Sequence, residues 1–344
     1  MKKELASCHL VSPEDGKVLS REGYLKSDLH VHSSASHDVL SIASLSPKSL
    51  YEKARRRGLD YISFTDHDTM DAYDSVGWER EGLVPGVEIR IRDLRLVGHT
   101  LHINVYTLSR SQFNELNKIA KVACDLSLFV QYCREESLPY VYNHPFYFEN
   151  HDSPNISAIL NITPMFPVIE YNMHRVKMKN KLAIMLAERF GKGVMATTDT
   201  HTGDVGKAFT LARGAGFGEY FRNVAEGRAY LVPKDLTKDG LAKETKDLLS
   251  FISLCGKGGE AIGGKCHSPI DAVVELLGNR VLRGSAELIK MSGALCRAIN
   301  RLDLPNRLGK SLHDSLAYAA ILRCYLGHQN FKARRIGSQL NFML

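Results

Sequence analysis

Ser46-Pro-Lys-Ser-Leu-Tyr-Glu-Lys-Ala-Arg-Arg-Arg-Gly58, followed closely by Tyr61-Ile-Ser-Phe64 and then Thr65-Asp66-His67-Asp68, is the stretch on which the fold turns. Ser46 is a helix N-cap, Pro47 suits the first turn, Leu50 and Ala54 lie four apart on one face, and Gly58 supplies a stop. Tyr61–Phe64 then reads as a short apolar strand that hands an acid and an imidazole to whatever lies beyond its end. The pattern recurs. A helix near 114–136 precedes the strand Tyr140-Val-Tyr142 and the cluster Asn143-His144-Pro145; a helix near 177–190, stopped by Gly191, precedes Val194-Met-Ala-Thr197 and Asp199-Thr-His201. Strands alternating with helices predict an α/β fold. If the strands run parallel around a barrel, their C-terminal ends converge on one face and bring these clusters together.

The clusters are chemically alike. Ten of the fourteen histidines fall between His30 and His201, eight of them in Asp28-Leu-His30-Val-His32, Ser36-His37-Asp38, Asp66-His67-Asp68, His99 and His102, Asn143-His144 and Asp199-Thr-His201, with Glu88 following Pro85-Gly-Val. Imidazole and carboxylate are the ligand set of divalent zinc, manganese and iron, and so many convergent donors exceed what one ion can hold. A multinuclear metal site, and therefore hydrolytic chemistry, is the expectation.

Composition sets the frame. The chain has 344 residues, 44% hydrophobic and 24% charged, enough to bury one large core with room for a smaller unit. It contains no apolar run long enough to span a bilayer and its first residues lack the apolar segment of a secretory signal, so a cytoplasmic location is expected. Seven scattered cysteines without a Cys-x-x-Cys pair point to free thiols rather than a disulfide framework. The net charge of +7 is concentrated: residues 241–344 carry 15 Lys and Arg against 8 Asp and Glu, whereas residues 1–240 balance at 30 and 30. The shift coincides with a polar stretch at 233–240 and places a boundary there: a segment 1–23 and the alternating strands and helices of residues 24–235 lie before it, and a basic region expected to be helical, 241–344, lies after it.

Asp28-Leu-His30-Val-His32-Ser-Ser-Ala-Ser36-His37-Asp38, Phe64-Thr-Asp66-His67-Asp68-Thr69, Pro85-Gly-Val-Glu88, His102, Asn143-His144-Pro145 and Thr198-Asp199-Thr-His201 resemble the successive motifs of the PHP (polymerase and histidinol phosphatase) superfamily. The resemblance covers residues 24–235, including Gly203-Asp-Val-Gly206-Lys-Ala and Ala225-Glu-Gly-Arg228-Ala-Tyr. It implies a distorted seven-stranded β/α barrel, TIM-like, that holds three divalent ions (zinc, manganese or iron) and hydrolyses phosphate esters. Carried over by position, His30, His32, Glu88 and Asp199 would bind the first ion; Glu88 would bridge to a second held also by His102 and His144; Asp38, His67 and His201 would bind the third. Glu88, Asp199 and His201 would be the residues closest to catalysis. Asp38 is preferred to its neighbour His37, and His102 to His99, on the family's spacing. A carboxylate between two cations offsets their repulsion, which suits Glu88 to the bridge.

Weaker expectations surround this set. Asp66 and Asp68 would orient His67 or cap the next turn. Glu170-Tyr-Asn172 could place a polar group at another strand end, with a purely structural role as the equal alternative; His151, His174 and Cys8 read as ordinary loop or core residues. Arg90, Arg92, Arg175 and Lys207 could meet phosphate charge. Gly259-Glu-Ala-Ile-Gly-Gly-Lys265 has the spacing of a phosphate-binding loop, but Cys266 stands where Ser or Thr would hold magnesium, and Cys255, Cys266 and His267 fit no zinc pattern. Helices are expected from Ser268-Pro269 to Gly278 and from Ser311 to Gly327, with Arg280, Arg283, Lys290, Arg297, Arg301, Arg307 and Lys310 between them. The function expected is a metal-dependent phosphatase acting on a small phosphorylated metabolite or nucleotide. An exonuclease guided along RNA or DNA by the basic region, and a non-catalytic metal-binding regulatory module, are the other readings; contact with an acidic membrane surface stays open.

Overall fold

Ser46 caps the helix Pro47–Arg56 by accepting a hydrogen bond from the backbone N–H of Ser49, and Tyr61–Phe64 is a strand. The computed structural model describes residues 9–149, 152–237, 239–240, 243 and 329–340. In chain order the elements are β1 (His9–Leu10), α1 (Pro13–Arg21), β2 (Leu25–Val31), α2 (Pro47–Arg56), β3 (Tyr61–Phe64), α3 (Asp71–Val76), β4 (Gly86–Ile91), β5 (Leu101–Tyr106), α4 (Arg110–Lys118), α5 (Leu126–Glu135), β6 (Tyr140–Tyr142), α6 (Ile156–Ile162), β7 (Val168–Asn172), α7 (Lys177–Phe190), β8 (Gly193–Thr197), β9 (Phe209–Ala212), α8 (Phe217–Ala225) and β10 (Ala229–Val232). Residues 329–340 form a further helix. Cys8, His151, the glycine-rich segment 259–265, Cys255, Cys266, His267, the two expected helices of the basic region and the Arg and Lys residues between them lie outside the described residues.

The strands make two five-stranded sheets, β1-β10-β9-β2-β3 and β4-β5-β6-β7-β8, in a mixed α/β fold. The sheets touch along two seams. At one, β3 faces the chain before and within β4, through the bridges Ile62 to Leu83 and His67 to Glu88; at the other, Val31 at the end of β2 bridges Thr200 just beyond β8. Three hydrogen bonds from the Tyr73 hydroxyl region hold the first seam: Phe64 N–H and Gly86 N–H donate to the oxygen at 3.1 and 2.7 Å, and the O–H faces Phe64 C=O at 2.8 Å.

An all-parallel arrangement does not hold. The β4–β5 and β5–β6 pairs are antiparallel, as are β2–β9 and β9–β10, whereas β2–β3, β6–β7 and β7–β8 are parallel. The nine residues between β4 and β5 are too few for a helical crossover, so the chain makes a hairpin instead. The helix expected over 114–136 is likewise two helices. A π-helical segment, Ile119–Ala123, leads to Cys124 in the left-handed region (φ 51°), and Asp125 starts α5 afresh by capping Leu128 N–H. By contrast, α7 ends at Gly191 in the left-handed conformation (φ 58°), where glycine avoids the Cβ clash.

Period-two alternation sorts the strand side chains. On β4 and β5, Val87, Ile89, Ile91, Ile103 and Val105 go to the main hydrophobic core beneath the helices, leaving Glu88, His102 and Asn104 for the opposite face. A second apolar cluster fills one end of that opposite face, where Leu29, Tyr106, Val141, Val168 and Met195 pack with Tyr220, Phe221 and Val224 of α8. The polar site begins further along the same strands, at His102, two pleats before Tyr106 on β5, and at Glu170, one pleat after Val168 on β7. Residues 329–340 bring Ile336 and Leu340 into the main core, and Gly337 lies against Leu182 of α7.

Candidate metal centre

His30 and His32 stand two residues apart at the end of β2, so both rings aim the same way, and both are fully buried. A register shift in the β2–β3 pairing between Asp28 and Val31 bends the strand there. The His30 Nδ1–H donates to Glu170 Oε1 at 2.5 Å, which leaves the Nε2 lone pair pointing into the site. There it meets another imidazole nitrogen and two acids: His32 Nε2 at 3.1 Å, Glu88 Oε2 at 3.2 Å and Asp199 Oδ1 at 3.2 Å. His32 Nε2 is also 3.2 Å from each of those oxygens. Lone pairs this close need either a shared proton or a cation between them. Metal bonds of about 2.0–2.1 Å would set neighbouring donors about 3.3–3.4 Å apart in a tetrahedral site and about 2.8–3.0 Å apart in an octahedral one. The observed separations fit such a polyhedron, and the four atoms lie within 4.8 Å of one another.

Glu88 presents its other oxygen to a second set. Oε1 is 3.2 Å from His102 Nδ1, 3.2 Å from His144 Nε2, and accepts from Asn143 Nδ2 at 2.8 Å. The far nitrogen of His102 faces Glu149 Oε1 at 3.2 Å, which frees Nδ1 for the interior. A third set surrounds Asp38, whose Oδ2 is 2.9 Å from His201 Nε2 and 3.3 Å from His67 Nε2. His201 Nδ1–H donates to its neighbour's carbonyl, Asp199 O, at 3.0 Å, so the Nε2 lone pair faces a carboxylate oxygen. His67 stands between sets, with Nδ1 3.3 Å from Glu88 Oε2.

The electrostatics follow from burial and crowding. Burial would raise the Glu88 carboxyl, but the positive charge available on His30, His67 and His102 outweighs it and holds the group well below the ordinary range, so it is ionised. Burial opposes a charge on His32 and His102; Asp199 and Glu88 push the first up to about 10, and Glu88 with Glu149 pushes the second up to about 9. His144 goes the other way, lowered to about 4 by burial and by Arg175, and is a neutral ring. Ionised acids buried among imidazoles need compensating cations, supplied either by protons or by metal. Asp199 (φ 51°) and His144 (φ 26°) also hold left-handed backbone that non-glycine residues rarely adopt, a strain that marks sites where side-chain aim outweighs backbone comfort.

No protein-family model matches the chain and no curated protein matches it. Among solved structures it is similar to PsfC from Pseudomonas syringae (15% identity, TM-score 0.49, 67% of this chain and 99% of that one). It is also similar to a candidate metal-dependent phosphoesterase from Bifidobacterium adolescentis (15%, 0.37, 51% and 87%) and to the lesion-specific endonuclease EndoQ from Pyrococcus furiosus (14%, 0.44, 89% and 91%).

All nine expected ligands thus meet in one region, and the positions set aside do not join them. His37 is exposed, with its ring 5.4 Å from that of His67, and His99 is buried against Phe148 with ring centroids 5.0 Å apart. Asp66 ties down the loop after β2 by accepting from Ser33 N and Oγ at 2.6 and 2.7 Å. Asp68 faces Arg90 Nε at 3.0 Å and Lys121 Nζ at 2.8 Å, so Arg90 is engaged there. Lys207 pairs with Asp204 at 2.7 Å and Arg92 with Asp152 at 3.4 Å. Arg175 does reach the cluster: Nη2 is 3.5 Å from Asp199 Oδ2 and the guanidinium stacks on Tyr147 at 4.5 Å.

Three residues do more than their sequence context suggests. Glu170 accepts from His30 Nδ1, His144 N (2.8 Å), Thr197 Oγ1 (2.6 Å) and Asn172 Nδ2 (3.0 Å), tying together two segments that carry candidate ligands. Its signal was the Glu-x-Asn alternation at the end of an apolar strand. Glu149 backs His102 from a loop with no pattern around it. His174, read as ordinary, lies beside the cluster with its ring 6.4 Å from that of His201.

Proposed function

We propose that this protein is a metal-dependent phosphoesterase of the PHP type, hydrolysing a small phosphorylated metabolite or nucleotide. The single observation that carries the reading is Glu88: a fully buried carboxylate with imidazole nitrogens of His30, His32, His67, His102 and His144 at 3.2–3.3 Å from its two oxygens. In this reading β2 to β8 form the distorted seven-stranded barrel, closed through the two seams. His30, His32, Glu88 and Asp199 hold one ion, Glu88, His102 and His144 a second, and Asp38, His67 and His201 a third. Zinc, manganese and iron all suit these donors. When bound, such ions supply Lewis acidity to a phosphoryl oxygen and lower the pKa of water towards neutrality.

The chain's own part is to hold this charge in place and to receive the phosphate. Glu170 and Glu149 keep His30 and His102 in the tautomers that turn a lone pair inward. Arg175, held over Tyr147, offers its planar donors to phosphoryl oxygens beside Asp199. The nearby hydroxyls of Ser33 and Ser36 donate to Asp66 and Asp38 at 2.7 and 2.6 Å and so hold the loop after β2 against the site.

The test is turnover by the full chain purified without chelator, on generic phosphomonoesters, dinucleotides and short RNA, alongside Glu88→Ala. Hydrolysis of monoesters that falls at least about a thousandfold in the variant supports the reading, the loss expected when a group central to transition-state charge is removed. Turnover of RNA alone would move the protein to the nuclease class, and metal loading without turnover of anything would leave a binding module.

A further inference from the structure

A cavity of about 320 Å³ opens beside the metal cluster, and the helix at residues 329–340 forms one of its walls. Its inner wall is shared with the cluster. Tyr147 lines the cavity and packs its ring against His102 and His144 at 5.7 and 5.2 Å, and Arg175 lines it while reaching Asp199. The outer wall follows from helical spacing. Ala333, Ile336 and Leu340 are buried against the body of the protein, which turns Gln329, Lys332, Arg335 and Gln339 along the cavity.

The lining is cationic. Four cations, Arg175, Lys179, Lys332 and Arg335, line the cavity against two acids, Glu149, which backs His102, and Asp152, which accepts from Thr100 N at 2.8 Å and pairs with Arg92. Lys179 is the most telling of the four. Only 7% of it is exposed, and among the described residues the hydrogen-bond partner of its amine is a neutral amide oxygen, Gln329 Oε1, at 2.9 Å. Burial, with Arg175 and Lys332 close by, lowers its pKa to about 7. A buried amine among like charges is costly, and an anion entering the cavity would remove that cost.

We propose that this cavity is the specificity pocket of the enzyme, in which Lys179, Lys332 and Arg335 hold a second anionic group of the substrate while the phosphoester to be cleaved lies at the metal cluster. The inference rests on the phosphoesterase reading and names its substrate class: phosphate esters carrying a further phosphate or carboxylate. It also gives residues 329–340 a purpose, since the wall they provide lies outside the barrel strands. Selectivity then comes from charge at two points rather than from the recognition of one base or sugar.

Calorimetry on the metal-loaded full chain tests this with propane-1,3-diol bisphosphate and propyl phosphate as probes. The bisphosphate should bind at least about tenfold more tightly, and Lys332→Gln and Arg335→Gln should each weaken the bisphosphate about tenfold while leaving propyl phosphate unchanged. Arg334→Gln, an exposed neighbour that does not line the cavity, should change neither. Equal affinity for the two probes, no binding of the bisphosphate, or equal weakening of both by the variants would overturn the inference. Monoester turnover is scored separately. A chain that hydrolyses monoesters without discriminating between the probes fails this inference alone, and one that discriminates without hydrolysing anything keeps the two-point anion pocket but fails the phosphoesterase reading and, with it, the pocket's role in substrate specificity.

Discussion

Single side chains decide the chemistry proposed, and the acids behind the ligands carry as much of it as the ligands themselves. Glu170 touches two ligand-bearing segments, through His30 Nδ1 and His144 N. Glu170→Gln keeps the shape but can no longer demand a donor from His30, so metal affinity should fall ten- to a hundredfold in chelator competition, with the circular dichroism spectrum unchanged. Unaltered affinity would remove Glu170 from this role. Lys179 yields a pH signature. Its folded pKa of about 7 lies below the 10.5 of the free side chain, so the folded chain binds that proton less tightly than the unfolded one. The penalty is full below pH 7 and is relieved as pH rises from about 7 towards 10. The stability of wild type relative to Lys179→Met should therefore increase across that window; a flat difference would show that the amine is not so confined. The donors were legible at this scale, because His and acids at short spacing after apolar runs are chemically conspicuous. Glu149 was not, because one acid in a loop resembles any solvated acid.

Elements with strong local signals were readable for the same reason. Ser46-Pro47 and Gly58 bracket α2, and Gly191 ends α7, because caps and stops are decided by a few neighbouring residues. Asp125 is a cap too, yet it sits inside a stretch whose apolar spacing runs on from α4 into α5, so one helix was expected where two occur. Glu88 and His102 show a further limit. The parallel strands present their candidate ligands at or just after their ends, but the β4–β5 hairpin reverses direction, so Glu88 and His102 stand within strands. Between elements, Tyr73 of α3 concentrates the β3–β4 seam on one hydroxyl, which also faces Val84 O at 3.0 Å. Tyr73→Phe leaves Phe64 N–H and Gly86 N–H buried without that acceptor and should cost about 2–3 kcal/mol in urea denaturation. A loss under about 0.5 kcal/mol would mean that the seam is held by strand pairing alone.

The molecule as a whole spends one end of its strands on apolar packing under α8 and the other on a buried set of opposed charges. The α/β class followed from the alternation of helices and strands, but the division into two sheets depends on long-range pairing that local spacing does not encode. So does the cavity beside the cluster, which needs residues more than 150 positions apart to meet, as Arg175 and Arg335 do. The central claim is that Glu88 gathers imidazoles from separate strands in order to hold metal. Its most direct test is elemental analysis of the full chain by plasma mass spectrometry after dialysis against zinc, manganese or ferrous iron, with Glu88→Ala treated identically. More than one equivalent of divalent ion per wild-type chain, reduced by at least one equivalent in the variant, is the predicted result. A wild-type chain that retains none of the three, or a variant that retains as much as wild type, would contradict it.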